Sequence, residues 1–542
     1  MGRFVFDVPT PAALVATHTD ARTSSLFRRS SADDGAANVA TQTAPLPLPS
    51  TGDFFDSVEV QRAYLCGIEG VPFQTRVHRD ANRLILTREV ETSAKLYLPL
   101  WLPGIGFRTV STCSLRPNDD GHAYELGIEL GRGSATLLRS QIDLWRRGGL
   151  RLSTDFDRRV EQGIRCWIDA LSSKDTGMRH HLAVHSVVLM QSAIDALGHQ
   201  YAFQSVAYRT SQTKPLGTLL GCVVHPPGPA DATQWSTLTK VVNCVGVRLS
   251  WGEVESDNGS LNFAPVDQAF DAAAQSNLRV IGGPLLDFRT RMMPHWLYLL
   301  EQDFDAVLAA TVNYVEKVVA RYRGRVSLWN AASGLNTPGP IPLSDEQAMR
   351  LTVAILQTVR RIDPETATVI SFDQPLGENL SRSRDAISPM HFADAIARTG
   401  LGISGFGLDL HLGYRDGGTL PRSTVELGNA IDRWATLGMP LLVNLVVPGD
   451  TGVDAAAIAP SPPRVPPPGM AVGSTDADAN QLRVAGAIIR TLLAKTSIHG
   501  IMWDGWDDRR PHVHSHGGLI DADGMPRRLM DYFIRLRKDE VV

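Results

Sequence analysis

Apolar residues recur along this chain with two different periods, and the change of period divides it. Between residues 56 and 150 they alternate with polar ones in short runs, at 73–77, 83–88, 95–100, 107–111 and 124–128, with breaks at Pro103 and Gly104 and at residues 118–121. Alternation puts every second side chain on one face of an extended strand, and Pro and Gly close such strands with turns, so this stretch predicts a small β-sandwich-like domain. From residue 154 to 209 the spacing lengthens. Phe156, Val160, Ile164, Trp167 and Ile168 share one side of a helix, as do Val187, Met190, Ile194 and Leu197. Further on, helices and strands take turns. Pro265 stands in the first turn of a helix reaching residue 278, and Phe304, Leu308, Val312, Val315, Val319 and Tyr322 mark the inner stripe of another. Residues 325–329 read as a strand. Ser344 and Gln347 carry the capping-box pattern before a helix to residue 361, and residues 368–372 read as the next strand.

Two stretches show no period. Residues 10–53 are rich in Ser, Thr, Ala and Pro and predict a mobile extension; residues 448–481, rich in Pro, Gly and Ala, predict an insertion, either a lid or a tolerated surface loop. The expected division is an extension over 1–53, a β-sandwich-like domain over 54–152, a helical connector over 153–212, and an α/β domain over 213–542 carrying the 448–481 insertion.

With 542 residues, 43% of them hydrophobic and 20% charged, the chain can bury more than one core. A net charge of −4 points away from nucleic acid and from anionic membranes, and the arginines of 146–151 read as a solvated face. No apolar run of membrane-spanning length is present. The apolar run at residues 1–7 is short for an export signal, and the five cysteines (Cys66, Cys113, Cys166, Cys222, Cys244) are odd in number and lack metal-ligand spacing. Reduced thiols and a cytoplasmic setting are expected, with no cofactor; the oligomeric state is open.

The segment Leu328–Trp329–Asn330–Ala331–Ala332–Ser333–Gly334 resembles the Trp-Asx-x-x-Asn-Glu strand end of glycoside hydrolase family 10, the xylanase family, with Gly334 where the family's general acid/base Glu would stand. Pro440–Leu441–Leu442–Val443–Asn444–Leu445 resembles its nucleophile strand, with Asn444 in place of the second Glu. Other similarities follow in the family's order from about Leu216 to the C-terminus. Trp251 and Glu255 match a Trp-x-x-x-Glu tail, Pro294–His295–Trp296 a Pro-x-Trp, and Asp409–Leu410–His411–Leu412 the Gln-x-His-Leu of strand six. Gly500–Ile501–Met502–Trp503 matches strand eight. The resemblance implies a (β/α)8 barrel preceded by the β-rich domain and the connector, with Gly334 and Asn444 facing each other across its cavity. It also implies a saccharide ligand. A secreted xylanase would be expected to carry an export signal, so the short N-terminal apolar run counts against breakdown of plant walls.

Active groups of such barrels lie at the C-terminal strand ends. A retaining glycosidase needs two carboxyls about 5–5.5 Å apart; glycine transfers no proton, and an amide forms no glycosyl ester. New carboxylates stand at strand ends instead: Asp287, Asp373, Asp409, Asp504 and Asp507. They supply an acid and a base, bind a cation, or hold sugar hydroxyls; Asp409 and Asp504 are the catalytic candidates. Trp251, Trp329, Asn330, Asp287, His411, Asn444 and Trp503 are the candidate saccharide contacts, the indoles serving either as stacking faces or as barrel packing. His512, His514 and His516 alternate on one side of an extended segment, as a metal or proton-transfer site or as a loop of satisfied histidines, and His181 and His185 have the i, i+4 spacing of a helical pair. No metal is assigned. The β-rich domain reads either as a carbohydrate-binding module or as a structural domain. Three functions stay open: a saccharide-binding barrel without the family's hydrolysis, a glycosidase using relocated Asp residues, and a non-catalytic assembly protein.

Overall fold

A computed structural model describes residues 2–8, 61–80, 82–213, 215–289, 292–383, 387–414, 418–450, 452–458 and 476–541. They divide into two compact units, Met1–Leu197 and Gly198–Val542.

The first unit holds two four-stranded sheets. Strands β1 (Gly2–Asp7), β2 (Tyr64–Cys66), β3 (Pro72–Phe73), β4 (Arg76–Asp80), β5 (Arg83–Arg88), β6 (Ala94–Leu102), β7 (Gly106–Leu115) and β8 (Tyr124–Glu125) order as β4-β5-β1-β8 and β3-β2-β6-β7. The first residues of the chain are therefore sheet rather than extension: β1 pairs antiparallel with β5, and its Phe4 and Phe6 are fully buried beside Leu84 and Leu86. The remainder of the expected extension lies outside the described residues.

The expected strand over 124–128 also gives way, to two residues of β8 and then helix α1 (Leu126–Arg147). Leu126, Leu130, Leu138 and Ile142 are buried at helical spacing, and the 22-residue run outlasts the local alternation. Gly133 lets α1 lie against β7, since a Cβ there would stand 2.0 Å from the Ser111 carbonyl oxygen. Two more helices follow, α2 (Thr154–Ser172) and α3 (Thr176–Gln212).

The second unit is a closed barrel. Its strands are β9 (Leu219–Val224), β10 (Cys244–Val247), β11 (Arg279–Gly282), β13 (Leu328–Ser333), β14 (Ala367–Asp373), β15 (Gly405–His411), β16 (Leu441–Val446) and β17 (Ile498–Trp503), with the two-residue β12 (Leu286–Asp287) added beside β13. Every pairing is parallel, and the ring closes through β17–β9 and β11–β13. Helices such as Phe304–Tyr322 and Asp345–Ile362 cover it, the latter opened by the expected capping box: the Ser344 hydroxyl accepts from the Gln347 amide at 3.2 Å, and the Ser344 amide donates to Gln347 at 2.8 Å.

Strand parity decides what faces inward. Phe406, Leu408, Leu441, Val443, Ile501 and Trp503 belong to the large core between strands and helices, while Cys244, Ile281, Val369, Leu442 and Met502 fill a separate, smaller cluster inside the barrel. The next inward positions toward the C-terminal strand ends are polar. Among the described residues, no helix is long and apolar enough to cross a membrane.

Candidate active site

The cavity at the C-terminal strand ends is lined by Arg248, Arg289, Asn330, Ser333, Asp409, His411, Asn444 and Asp504 above an apolar floor that includes Ile281, Leu442 and Met502. One residue lies between Leu442 and Asn444 and between Met502 and Asp504, so floor and polar residue are one strand period of two apart. In β15 that period brings Gly407, Asp409 and His411 to the inside. Gly407 is required there, because a Cβ would fall 2.0 Å from the Ser371 hydroxyl.

Asp409 sits level with Asn444 in the β15–β16 register. Its carboxylate accepts from the Asn444 amide at 2.5 Å and from the Ser333 hydroxyl at 2.6 Å. The Ser371 hydroxyl of β14 accepts from Asn330 at 2.9 Å and from Asn444 at 3.4 Å, which links this group to that strand. Burial pushes the Asp409 carboxyl up to about 6, and the nearby Arg289 and these two donors only partly offset it.

The other acids are paired with cations. Arg248 donates to Asp287 at 3.1 Å and to Asp504 at 2.6 Å, and Arg289 grips Asp287 with two nitrogens, its Nε at 2.5 Å. Burial alone would raise the Asp504 carboxyl, but Arg248, His514 and His411 outweigh it and hold the group well below the usual carboxylate range. Burial keeps the His514 imidazole below its ordinary value despite Asp504.

Of the residues expected from sequence, Asp409, His411, Asn444, Asn330 and Asp504 converge on this cavity, and Asp287 lies directly behind it. Three do not converge. Trp503 is fully buried on the helix side of its strand, donates to the Gly517 carbonyl at 2.8 Å and packs edge-on to Phe533. Trp329 is likewise buried and donates to Asp363, and Trp251 stacks on Tyr314 and donates to Glu255 at 2.7 Å. All three are barrel packing.

Gly334 is not among the residues that line the cavity, whereas Asn444 is. The β13–β14 register slips between Asn330 and Ala332, a bulge of one residue. It turns Ser333, instead of Ala332, into the cavity and leaves Gly334 beside Arg289 and Phe288 at a φ of 81°.

Asp507 is tied to Arg509 at 2.7 Å, and Asp373 is absent from the cavity lining. The three histidines of the 512–516 segment do not share a side, because that segment bends and turns. His512 reaches Asp454 at 2.9 Å, His514 reaches Asp504 at 3.1 Å, and His516 has a φ of 56°. Among the described residues, two groups have ligand atoms close enough for a metal ion: His411, Asp504 and His514, and Asp454, Asp508 and His512. Among the described residues, His181 and His185 join no such group.

Arg248, Arg289 and Ser333 are the cavity residues that sequence reasoning missed. Arginine usually signals surface, yet Arg248 continues the inward parity of Cys244 and Gly246, and counting it would have placed it.

An eight-stranded parallel barrel with its polar groups gathered at the C-terminal strand ends defines a (β/α)8 protein of the kind that binds or transforms ligands at that face. Residues 212–527 match glycosyl hydrolase family 10, and the chain belongs to that family. Endo-1,4-beta-xylanase B of Thermotoga neapolitana is 21% identical over 209 residues, 36% of this chain and 55% of that protein, so the chain spans about half the length of this curated relative. Similar solved structures include native xylanase 10B from Thermotoga maritima, at 14% identity, 59% of this chain, 94% of that one and a TM-score of 0.44. Xylanase 10B from Thermotoga petrophila RKU-1 in complex with xylobiose has 14% identity, 61% and 94% coverage and a TM-score of 0.43.

Proposed function

We propose that the barrel mouth holds a neutral saccharide and does not run the family's two-carboxylate hydrolysis. The observation that carries this reading is the Asn444 amide, which lines the cavity and donates to Asp409. An uncharged amide turned toward the neighbouring carboxylate offers no nucleophile to an anomeric carbon, and retention requires a carboxylate there. Asp287 and Asp504 are occupied by Arg248 and Arg289. With the indoles packed behind the strands, a sugar would be held by hydrogen bonds from Arg248, Arg289, Asn330, Asn444 and Asp409, over the apolar floor.

Calorimetric titration with xylobiose and longer xylo-oligosaccharides, run beside a nitrophenyl β-xyloside assay, tests the reading. Saturable heat that N444A and D409A abolish, with no nitrophenol released, is the expected result. A second reading, hydrolysis by relocated acids, is supported by Asp409 and Asp504 lining one cavity. Turnover lost in both D409A and D504A would establish it in place of the first. Neither heat nor turnover with any saccharide would leave an assembly role.

A further inference from the structure

We propose that His411, Asp504 and His514 form a binding site for a divalent first-row transition metal ion at the edge of the barrel cavity. This goes beyond saccharide binding and does not depend on it. The three side chains come from separate places: the end of β15, the residue after β17, and the bent segment beyond it. All three are buried. They meet at one atom. Asp504 Oδ2 lies 3.1 Å from His514 Nε2 and 3.5 Å from His411 Nε2, and the three ligand atoms lie within 4.8 Å of one another. A tetrahedral zinc ion with bonds of about 2.0–2.1 Å sets its ligands roughly 3.3 Å apart, so the spacing accepts an ion with small shifts of the rings.

The carboxylate is already divided for this purpose. Its Oδ1 takes Arg248 at 2.6 Å, which fixes the plane of the group and leaves Oδ2 to the imidazoles. Two imidazoles and one carboxylate suit zinc, iron(II) and their neighbours, and three protein ligands leave a position for water or ligand. His411 and Asp504 both line the cavity, so an ion held there borders it.

The second group, around His512, lacks this character because its atoms are engaged. Asp454 Oδ2 accepts from His512 at 2.9 Å and from the His516 amide at 2.8 Å; Asp508 accepts from the Gly518 amide at 2.6 Å and from Arg527 at 2.8 Å; and His512 Nδ1 lies 2.7 Å from the Arg510 carbonyl. That group ties loops together.

The competing account of the first group is two imidazole N–H donors sharing one carboxylate oxygen with no ion. Chelator-treated full-length protein titrated with zinc chloride in a calorimeter, and with cobalt(II) chloride in a visible spectrometer, separates the two. The expected result is one equivalent bound at roughly micromolar concentration, with the intense visible absorption of low-coordinate cobalt. H514A and H411A should each weaken binding by roughly 100-fold or more, beyond the 10- to 100-fold typical of losing an outer hydrogen bond. D454N should bind as the wild type does. Absence of stoichiometric uptake by wild-type protein overturns the proposal without reference to any variant. So does uptake that survives H411A/H514A, or that D454N abolishes.

Discussion

Asp409 makes the stability of the barrel depend on pH in an unusual direction. Its carboxyl is 2% exposed, and burial pushes it from 3.8 to about 6. Between those values the folded protein keeps a proton that the unfolded chain gives up. A group raised in this way adds stability at the acid end of the window, and that stability is lost as pH rises through about 6. At about 1.4 kcal/mol per pH unit, the loss comes to about 3 kcal/mol.

The substitution D409N removes the titration and keeps the shape. Its effects on the Ser333 and Asn444 hydrogen bonds act alike at every pH, so they shift the difference between the two proteins without tilting it. Urea denaturation of both, followed by tryptophan fluorescence in the presence of chelator at pH 4, 5, 6 and 7, gives the tilt directly. The wild type should lose about 2 kcal/mol relative to D409N from pH 4 to 7, most of it by pH 6. Curves that stay parallel to within about 0.5 kcal/mol would refute the reasoning, because they would put the Asp409 carboxyl at its ordinary value and the site in water.

Three further outcomes follow from the same contacts. Arg248→Met strips one cation from both Asp287 and Asp504, and should cost about 3–5 kcal/mol by denaturation, the scale of breaking a buried ion pair from one side. Trp503→Phe keeps the packing but leaves the Gly517 carbonyl without its donor, costing about 1–3 kcal/mol, and should leave saccharide-binding heats unchanged. G334E/N444E should release no nitrophenol from an aryl β-xyloside, because Gly334 is not among the residues lining the cavity and at its φ of 81° a non-glycine residue adds about 1–3 kcal/mol of strain; turnover by this pair would place the two positions across one cavity.

The barrel was legible because its signals are redundant. Each strand carries an apolar run of the right length, each helix an amphipathic stripe, and their order constrains all of them at once. The first unit offered less redundancy. Tyr124, Leu126, Ile128 and Leu130 alternate like a strand, yet Leu126, Leu130, Leu138 and Ile142 are buried along α1, and only the longer window separates the two periods. Gly2–Asp7 reads as a short apolar run at the head of the expected extension because its partner, β5, lies some eighty residues further on in sequence, and pairing at that distance leaves no local trace.

The site shows where a finer reading of the same residues would have reached further. Neighbours on a strand face opposite ways, so Trp503 and Asp504 cannot both reach the cavity, nor can Trp329 and Asn330. Once the aspartate and the asparagine are inside, both indoles must lie among the helices, where they are found. Parity also brings in Arg248, two residues after Gly246. One thing parity could not supply is the bulge in β13. A single extra residue between Asn330 and Ala332 reverses the orientation of the strand beyond it and carries Ser333 to Asp409. Nothing in Asn330–Ala331–Ala332 marks it: these small residues fit a bulged strand and a regular one equally well. The motif's spacing therefore identifies the family, while the bulge decides that Ser333, rather than Ala332, lines the mouth and donates to Asp409.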